Sequence, residues 1–305
     1  MDDKVLQVQD FIKSYGNFKA VSGISFEAYR GEIFGLLGPN GAGKTTTLEC
    51  LEGIRKGDGG TLNILGVDPA REPHKLGNLI GVQLQTSGLP ADMTVGEAMR
   101  FFSAYHGVAP RFDLLDRLGL EEKRRTKYSQ LSTGQQRRLA LSLAIAHDPP
   151  LLILDEPTAG LDVATRAELH ALMQELREQG RTIILATHDM AEAEKLADRV
   201  SILLRGKIVA TGSPIELTAT GSGFTKVSVR TEQSLLEKNG VDFPTVAKYS
   251  VLEDYVIYFT TDPGPTVSAI LEYIHNQGDK LIDLRVERPN LEERFLEITT
   301  LGGAQ

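Results

Sequence analysis

Residues 38–45 read GPNGAGKT: Gly38, Pro39, Asn40, Gly41, Ala42, Gly43, Lys44 and Thr45, with Thr46 next. Glycines at this spacing let backbone N–H groups turn inward on a polyphosphate, while the lysine reaches its terminal phosphates. Apolar FGLL (34–37) precedes the stretch and TTTLECLEGI (45–54) follows it, the strand, loop and helix order such a cradle needs. The helix turns its positive end toward the anion, so dipole, N–H groups and Lys44 act together. Alone, the stretch implies only that a nucleotide is bound.

Three further segments narrow the reading. LLILDEP (151–157) begins as a continuous apolar run, the mark of a strand buried on both faces of a parallel sheet, and ends in two carboxylates. At that strand end Asp155 is placed to hold Mg2+ and Glu156 to polarise a water; the plainer alternative is an acidic strand end that starts a turn at Pro157. LSTGQ (131–135) opens a helical stretch, QQRRLALSLAIA (135–146), and Ser132 stands where a hydroxyl caps a helix or faces a phosphate. TIILAT (182–187) is a second buried strand that delivers His188 to the same sheet edge. Taken singly, LSTGQ also fits a plain capped helix and His188 a structural histidine. Their order along one chain favours phosphate chemistry for all of them.

With these residues in hand, positions 1 to about 220 resemble the ATP-binding subunit of ABC transporters. The resemblance implies a P-loop NTPase (RecA-like) α/β core with antiparallel β and helical subdomains. It makes GPNGAGKT the Walker A loop, LSTGQ the signature, LLILDE the Walker B strand, AGLD (159–162) the D-loop and His188 the switch histidine. It makes Gln85, in IGVQLQ, the Q-loop glutamine and a third Mg2+-site residue beside Thr45 and Asp155, with Gln83 as the competing choice. Tyr15 becomes the aromatic that stacks on adenine, although by itself it reads as a half-buried strand residue. The family usually carries a second glycine where this chain has Thr133, whose bulk restricts how closely that loop approaches nucleotide. The resemblance further implies two subunits packed head to tail, Ser132, Gly134 and Gln135 of one closing over the ATP of the other and Asp162 linking the two sites. Gln85 would report the γ-phosphate to a separate transmembrane permease.

Length and charge fit that assignment. At 305 residues the chain exceeds one ordinary domain, so a main domain (1–220) and a smaller one (221–305) are expected. Net charge of −8 argues against nucleic acid as a direct partner. EEKRRTK (121–127) is a local basic cluster that reads as a solvated helix end rather than a lipid or RNA contact. Cys50 is the only cysteine and reads as packing. MDDKVLQVQDF carries no signal-peptide pattern, and no apolar run reaches the roughly 18 residues that span a bilayer. The expected place is therefore the cytoplasmic face of the cell membrane, held there by another polypeptide.

Beyond RVSILLRGKIVATG (199–212), read as the last strand of the first domain, GSPIELTATGSG (212–223) reads as a breaker-rich junction. The tail then alternates strand and helix patterns in βαββαβ order, a ferredoxin-like α+β arrangement, and closes on an amphipathic helix at PNLEERFLEIT (289–299). It resembles the short C-terminal domain on ATPase subunits of drug- and antibiotic-export systems. The expectation is an exporter subunit that hydrolyses MgATP to drive efflux of a drug, antibiotic or other small amphiphile. A soluble ABC-type ATPase acting on nucleic acid or ribosomes is the alternative. A GTPase switch would want an NKxD guanine reader, and none occurs.

Overall fold

Two long segments of mixed apolar and polar residues form β1 (Lys4–Tyr15) and β2 (Phe18–Tyr29), an antiparallel hairpin that closes on the pair Tyr15 and Phe18. The apolar run before the loop is β3 (Ile33–Leu37), wholly buried, and the loop feeds α1 (Lys44–Leu51). β4 (Gly59–Ile64) then returns to pair with β1, completing an antiparallel sheet in the order β2-β1-β4. α2 (Pro73–Leu76) leads into β5 (Ile80–Gln83). A helical segment follows, built from α3 (Val95–Tyr105), α4 (Phe112–Arg117) and α5 (Thr133–Ile145). α3 is started by a capping box between Thr94 and Glu97, which satisfies two otherwise free N–H groups.

β6 (Leu151–Asp155), α6 (Val163–Glu178), β7 (Thr182–Thr187), α7 (Met190–Leu196), β8 (Arg199–Leu204) and β9 (Lys207–Gly212) complete the second sheet, ordered β5-β6-β7-β3-β8-β9. All neighbours are parallel except β8 and β9. β3, β6 and β7 are buried along their whole length, which is why their sequences are unbroken apolar runs. Leu37 lies level with Thr187, and Asp155 with Ala186. Three functional segments thus leave one carboxyl edge together, where open α/β sheets bind ligands. A shared core joins the two sheets, with Phe26 stacked on Phe34 at 5.2 Å between ring centroids.

The computed structural model describes residues 3–85, 88–219, 224–239 and 241–302. The chain divides into two compact units, Met1–Pro214 and Ile215–Gln305. Two sequence expectations are corrected. RVSILLRGKIVATG is not one strand but the β8–β9 hairpin, whose two-residue loop places Arg205 (φ 49°) and Gly206 (φ 75°) both in the left-handed region. The supposed junction begins as a helix, α8 (Pro214–Ala219), because proline at the first helical position costs no hydrogen bond. Residues 220–223, and with them the expected boundary at 220/221, lie outside the described residues.

In the second unit the order is β10 (Thr225–Thr231), α9 (Leu235–Asn239), β11 (Val246–Leu252), β12 (Tyr255–Thr260), α10 (Pro263–Asn276), β13 (Leu281–Glu287) and α11 (Leu291–Gly302). Its sheet is antiparallel throughout, ordered β11-β12-β10-β13. A separate apolar core holds it, centred on Val227, Val229, Tyr258 and Ile270.

α1 ends in a way that affects stability. Glu52 is its C-cap, so a carboxyl sits at the negative end of the helix dipole. Burial first, then the charges of Asp155 and Glu49, push that carboxyl up to about 8. Between its unfolded pKa, about 4.3, and about 8 the folded chain holds a proton that the unfolded chain does not. The resulting stabilisation is complete below that window and is lost as pH rises through it, at up to about 1.4 kcal/mol per pH unit before allowance for solvent access. Thermal unfolding of the wild type is therefore expected to fall more steeply from pH 5 to pH 8 than that of Glu52→Gln. Parallel pH profiles for the two proteins would contradict this. Cys50, two residues earlier, is buried and its thiol is pushed up to about 11, which fits packing rather than reactivity.

Candidate functional site

The loop between β3 and α1 has a backbone only glycine tolerates at its end. Gly43, the N-cap of α1, has φ 108°, and a Cβ there would lie 2.6 Å from the Ala20 carbonyl oxygen. Lys44 then folds back over the loop: Nζ donates to the carbonyl oxygens of Gly38 at 2.7 Å and Pro39 at 3.3 Å, and lies 3.7 Å from Glu156 Oε1. Burial pulls the lysine pKa below its ordinary value, against the pull of Glu156 and Asp155 upward. A buried ammonium held by neutral carbonyls is poised to exchange them for anionic oxygens.

Across the loop, Thr45 Oγ1 donates to Asp155 Oδ2 at 2.9 Å. Asp155 Oδ1 is buried with no hydrogen-bond partner, and burial, followed by repulsion from Glu156, raises its pKa. A hydroxyl and a carboxylate with an orphaned oxygen are the hard donors that suit Mg2+, an ion held by one or two carboxylates and completed by substrate phosphates. Among the described residues no cluster of three or more His, Cys, Asp or Glu offers an all-protein cage.

Glu156 is the strained residue of the site. Its N–H still donates to Ala186 at 2.9 Å, extending the β6–β7 ladder by one step. Its φ of 49° then turns the chain sharply, a conformation costing a side-chain-bearing residue about 1–2 kcal/mol. The turn leaves the carboxylate buried and facing the loop cavity. His188 Nδ1 stands 2.7 and 2.8 Å from its two oxygens, so the tautomer protonated at Nδ1 donates to the carboxylate. The imidazole itself is half exposed.

These groups border a cavity of about 360 Å3. Of the sequence-derived set, Tyr15, residues 40–46, Gln85 and Glu156 line it; Asp155 and His188 stand behind it through Thr45 and Glu156. Tyr15 is partly exposed, with Lys13 Nζ and the Arg55 guanidinium each 5.6 Å from its ring centroid. Gln85 is exposed at the cavity, whereas Gln83 is buried at the end of β5 and lines a different cavity. Of the two competing glutamines, Gln85 therefore shares a cavity with Lys44 and Thr45, and Gln83 does not. Phe18 also lines the cavity and was not anticipated, although an exposed aromatic paired with Tyr15 across a tight hairpin is a signal. A buried chain from Thr158 to Glu192 to His170, the last step 3.1 Å, supports the turn after Glu156. No local motif announces it.

The signature residues lie elsewhere. Ser132 is the N-cap of α5 and forms a capping box with Gln135. Asp162 caps α6, its carboxylate accepting from Thr165 N at 2.9 Å and Oγ1 at 2.8 Å; the backbone N–H of Thr165 is the main cause of its lowered pKa. Neither Ser132, Gly134, Gln135 nor Asp162 borders the cavity. Thr133 is exposed at the first helical position and keeps a negative φ, so its bulk strains nothing within this chain. At Gly134 an added Cβ would meet only ordinary contacts, the nearest Leu161 at 3.6 Å. Nothing inside the chain demands a glycine there.

Known proteins of one family resemble this chain. The family model described as ABC transporter matches residues 21–159. Over 307 residues the chain is 35% identical to the Nod factor export ATP-binding protein I of Paraburkholderia xenovorans, covering 98% of each. It is 32% identical over 306 residues to the linearmycin resistance ATP-binding protein LnrL of Bacillus subtilis, covering 97% of this chain and 98% of that one. A solved dimeric structure of the ATP-binding cassette MJ0796, in a post-hydrolysis state bound to ADP and Pi, matches with a TM-score of 0.63 at 26% identity, over 68% of this chain and 98% of that chain. No helix among the described residues is long and apolar enough to cross a membrane. With relatives matched along nearly their whole length, the chain belongs to the ABC transporter family, as one of its ATP-hydrolysing subunits.

Proposed function

We propose that this subunit works as half of a head-to-tail pair that hydrolyses MgATP and drives a separate permease to export a drug, antibiotic or other small amphiphile. The observation that carries the reading is the division of the site. Lys44, Thr45, Gln85 and Glu156 converge on one cavity, while Ser132 and Gly134 stand outside it on an exposed helix start. The dimeric ADP-bound cassette and the export and resistance relatives support it. Val163, 85% exposed beside Asp162, is an apolar residue of the kind an interface covers.

In this reading Lys44 leaves the carbonyls of Gly38 and Pro39 for the β and γ phosphates, and the N–H groups of Gly41 to Thr46 complete the cradle. Tyr15 stacks on adenine. Thr45, Asp155 and Gln85 hold Mg2+, which when bound supplies charge neutralisation at the phosphates. Glu156 accepts the proton of the attacking water, and His188 keeps its carboxylate aimed. Ser132, Gly134 and Gln135 of the facing subunit close over the γ-phosphate, and Asp162 joins the two sites. The smaller C-terminal domain, taken from residue 221, is ferredoxin-like, a reading its βαββαβ order and sheet order favour. The subunit sits on the cytoplasmic face of the membrane through its permease.

Isolation of the tagged chain from its own membranes is expected to bring down a multi-span membrane protein. RNA or ribosomal proteins in its place would overturn the exporter reading.

A further inference from the structure

Glu156 is held at φ 49°, a backbone setting that lasts only while the surrounding residues fix it. Upstream, its own N–H is bonded to the Ala186 carbonyl on β7. Downstream the chain enters a loop that closes on itself before Asp162 starts α6: the Ala159 N–H donates to the Glu156 carbonyl at 3.3 Å, and the Leu161 N–H to the Thr158 carbonyl at 3.2 Å. One carboxylate oxygen fastens this loop to the two helices beside it. Thr158 Oγ1 donates to Glu192 Oε1, and His170 Nε2 stands 3.1 Å from the same oxygen, so the tautomer protonated at Nε2 donates there too. Thr158 is 4% exposed, Glu192 4% and His170 5%.

Glu192 belongs to the segment that carries His188. Thr187 ends β7, and its hydroxyl accepts from the Asp189 N–H at 3.0 Å; Asp189 is the N-cap of α7 and accepts from the Glu192 N–H at 3.0 Å. The ends of β6 and β7 thus bring Glu156 and His188 together, and Glu192 ties together the segments that follow them. A further tie, Arg166 Nη1 to Asp189 Oδ2 at 3.5 Å, is long and partly exposed, so it constrains little. A carboxylate buried as deeply as that of Glu192 is costly to keep unless it is hydrogen-bonded. None of the three side chains borders the cavity of Lys44 and Thr45, so the cost is not met by contact with nucleotide.

We propose that Glu192 is a positioning residue for hydrolysis: it locks the loop after Glu156 to the helix after His188, and so keeps the Glu156 carboxylate aimed at the attacking water. This role rests on Glu156 being the proton acceptor, as proposed above. It separates chemistry from binding, because Lys44, Thr45 and Tyr15 are carried by α1 and β1. Releasing the loop misplaces the carboxylate without opening the phosphate cradle, and a shift of about 1 Å costs on the order of 100-fold in rate.

Single-turnover hydrolysis, ATP titration and thermal unfolding of Glu192→Ala, Glu192→Gln and Thr158→Val test this role. Glu192→Ala is expected to slow hydrolysis about 30- to 100-fold, with ATP affinity within about twofold of wild type. Glu192→Gln, whose amide oxygen accepts the same two hydrogen bonds, should return to within about threefold of wild type. Thr158→Val keeps the shape, loses the hydroxyl and should slow hydrolysis about tenfold; it carries the test if Glu192→Ala does not fold. In a Glu156→Gln background, Glu192→Ala should cost nothing further, since no base is left to aim, and the ATP-dependent dimer should persist. Wild-type rates in Glu192→Ala and Thr158→Val, losses of affinity equal to the losses of rate, or a further loss of rate in the Glu156→Gln background would overturn the positioning role alone. Disappearance of the dimer in that double variant would assign Glu192 to subunit pairing through Asp162 and overturn it likewise. Near-normal turnover by Glu156→Gln itself would overturn the base reading and this role together.

Discussion

Glu156→Gln is expected to lower steady-state ATP turnover about 10³-fold while ATP binding is kept or tightened. Glutamine has the same shape and retains an oxygen for the His188 N–H, so the left-handed turn and the cavity wall persist. What disappears is the proton acceptor. The negative charge 3.7 Å from Lys44 also goes, together with its repulsion of the triphosphate, so affinity has no reason to fall. The paired state should then be long-lived, visible as an ATP-dependent dimer in size-exclusion chromatography. Turnover within a few-fold of wild type would reassign the base.

Lys44→Ala is expected to damage both steps: ATP affinity by at least about 100-fold, and turnover further. The lysine is the only buried cation among the cavity's lining residues, and its removal leaves Asp155 and Glu156 facing an incoming polyanion uncompensated. The loop N–H groups remain, so binding is weakened rather than abolished. Equilibrium titration with a fluorescent ATP analogue and single-turnover hydrolysis separate the two losses. The contrast between the two variants is the diagnostic result, since one is expected to bind without turning over and the other to fail at binding.

Much of the fold was legible because its central strands are buried on both faces. β3, β6 and β7 are unbroken apolar runs, and period alone marks them as interior. Where side chains do not report the backbone, reading failed. The β8–β9 turn is an Arg-Gly pair inside a strand-like pattern, and arginine at φ 49° is no turn signal. Pro214 read as a breaker, although at the first helical position proline starts a helix. At the site, the loop and acidic-strand residues were readable because each lies in one short motif. Phe18 and the Thr158–Glu192–His170 chain were not, because they act through contacts between distant segments. The two glutamines near the end of β5 were separable only by burial, since Gln83 is the last residue of the buried strand whereas Gln85 lies beyond it and lines the cavity of Lys44 and Thr45.

The head-to-tail pairing carries the account, and a crystal structure of the Glu156→Gln chain with ATP bound tests it most directly. The predicted result is a symmetric pair in which Ser132 Oγ and the Gly134 N–H of each copy lie within hydrogen-bond distance of the γ-phosphate held by the other copy's Lys44. ATP bound to Lys44 with Ser132 and Gly134 of every copy out of reach of any triphosphate would contradict it.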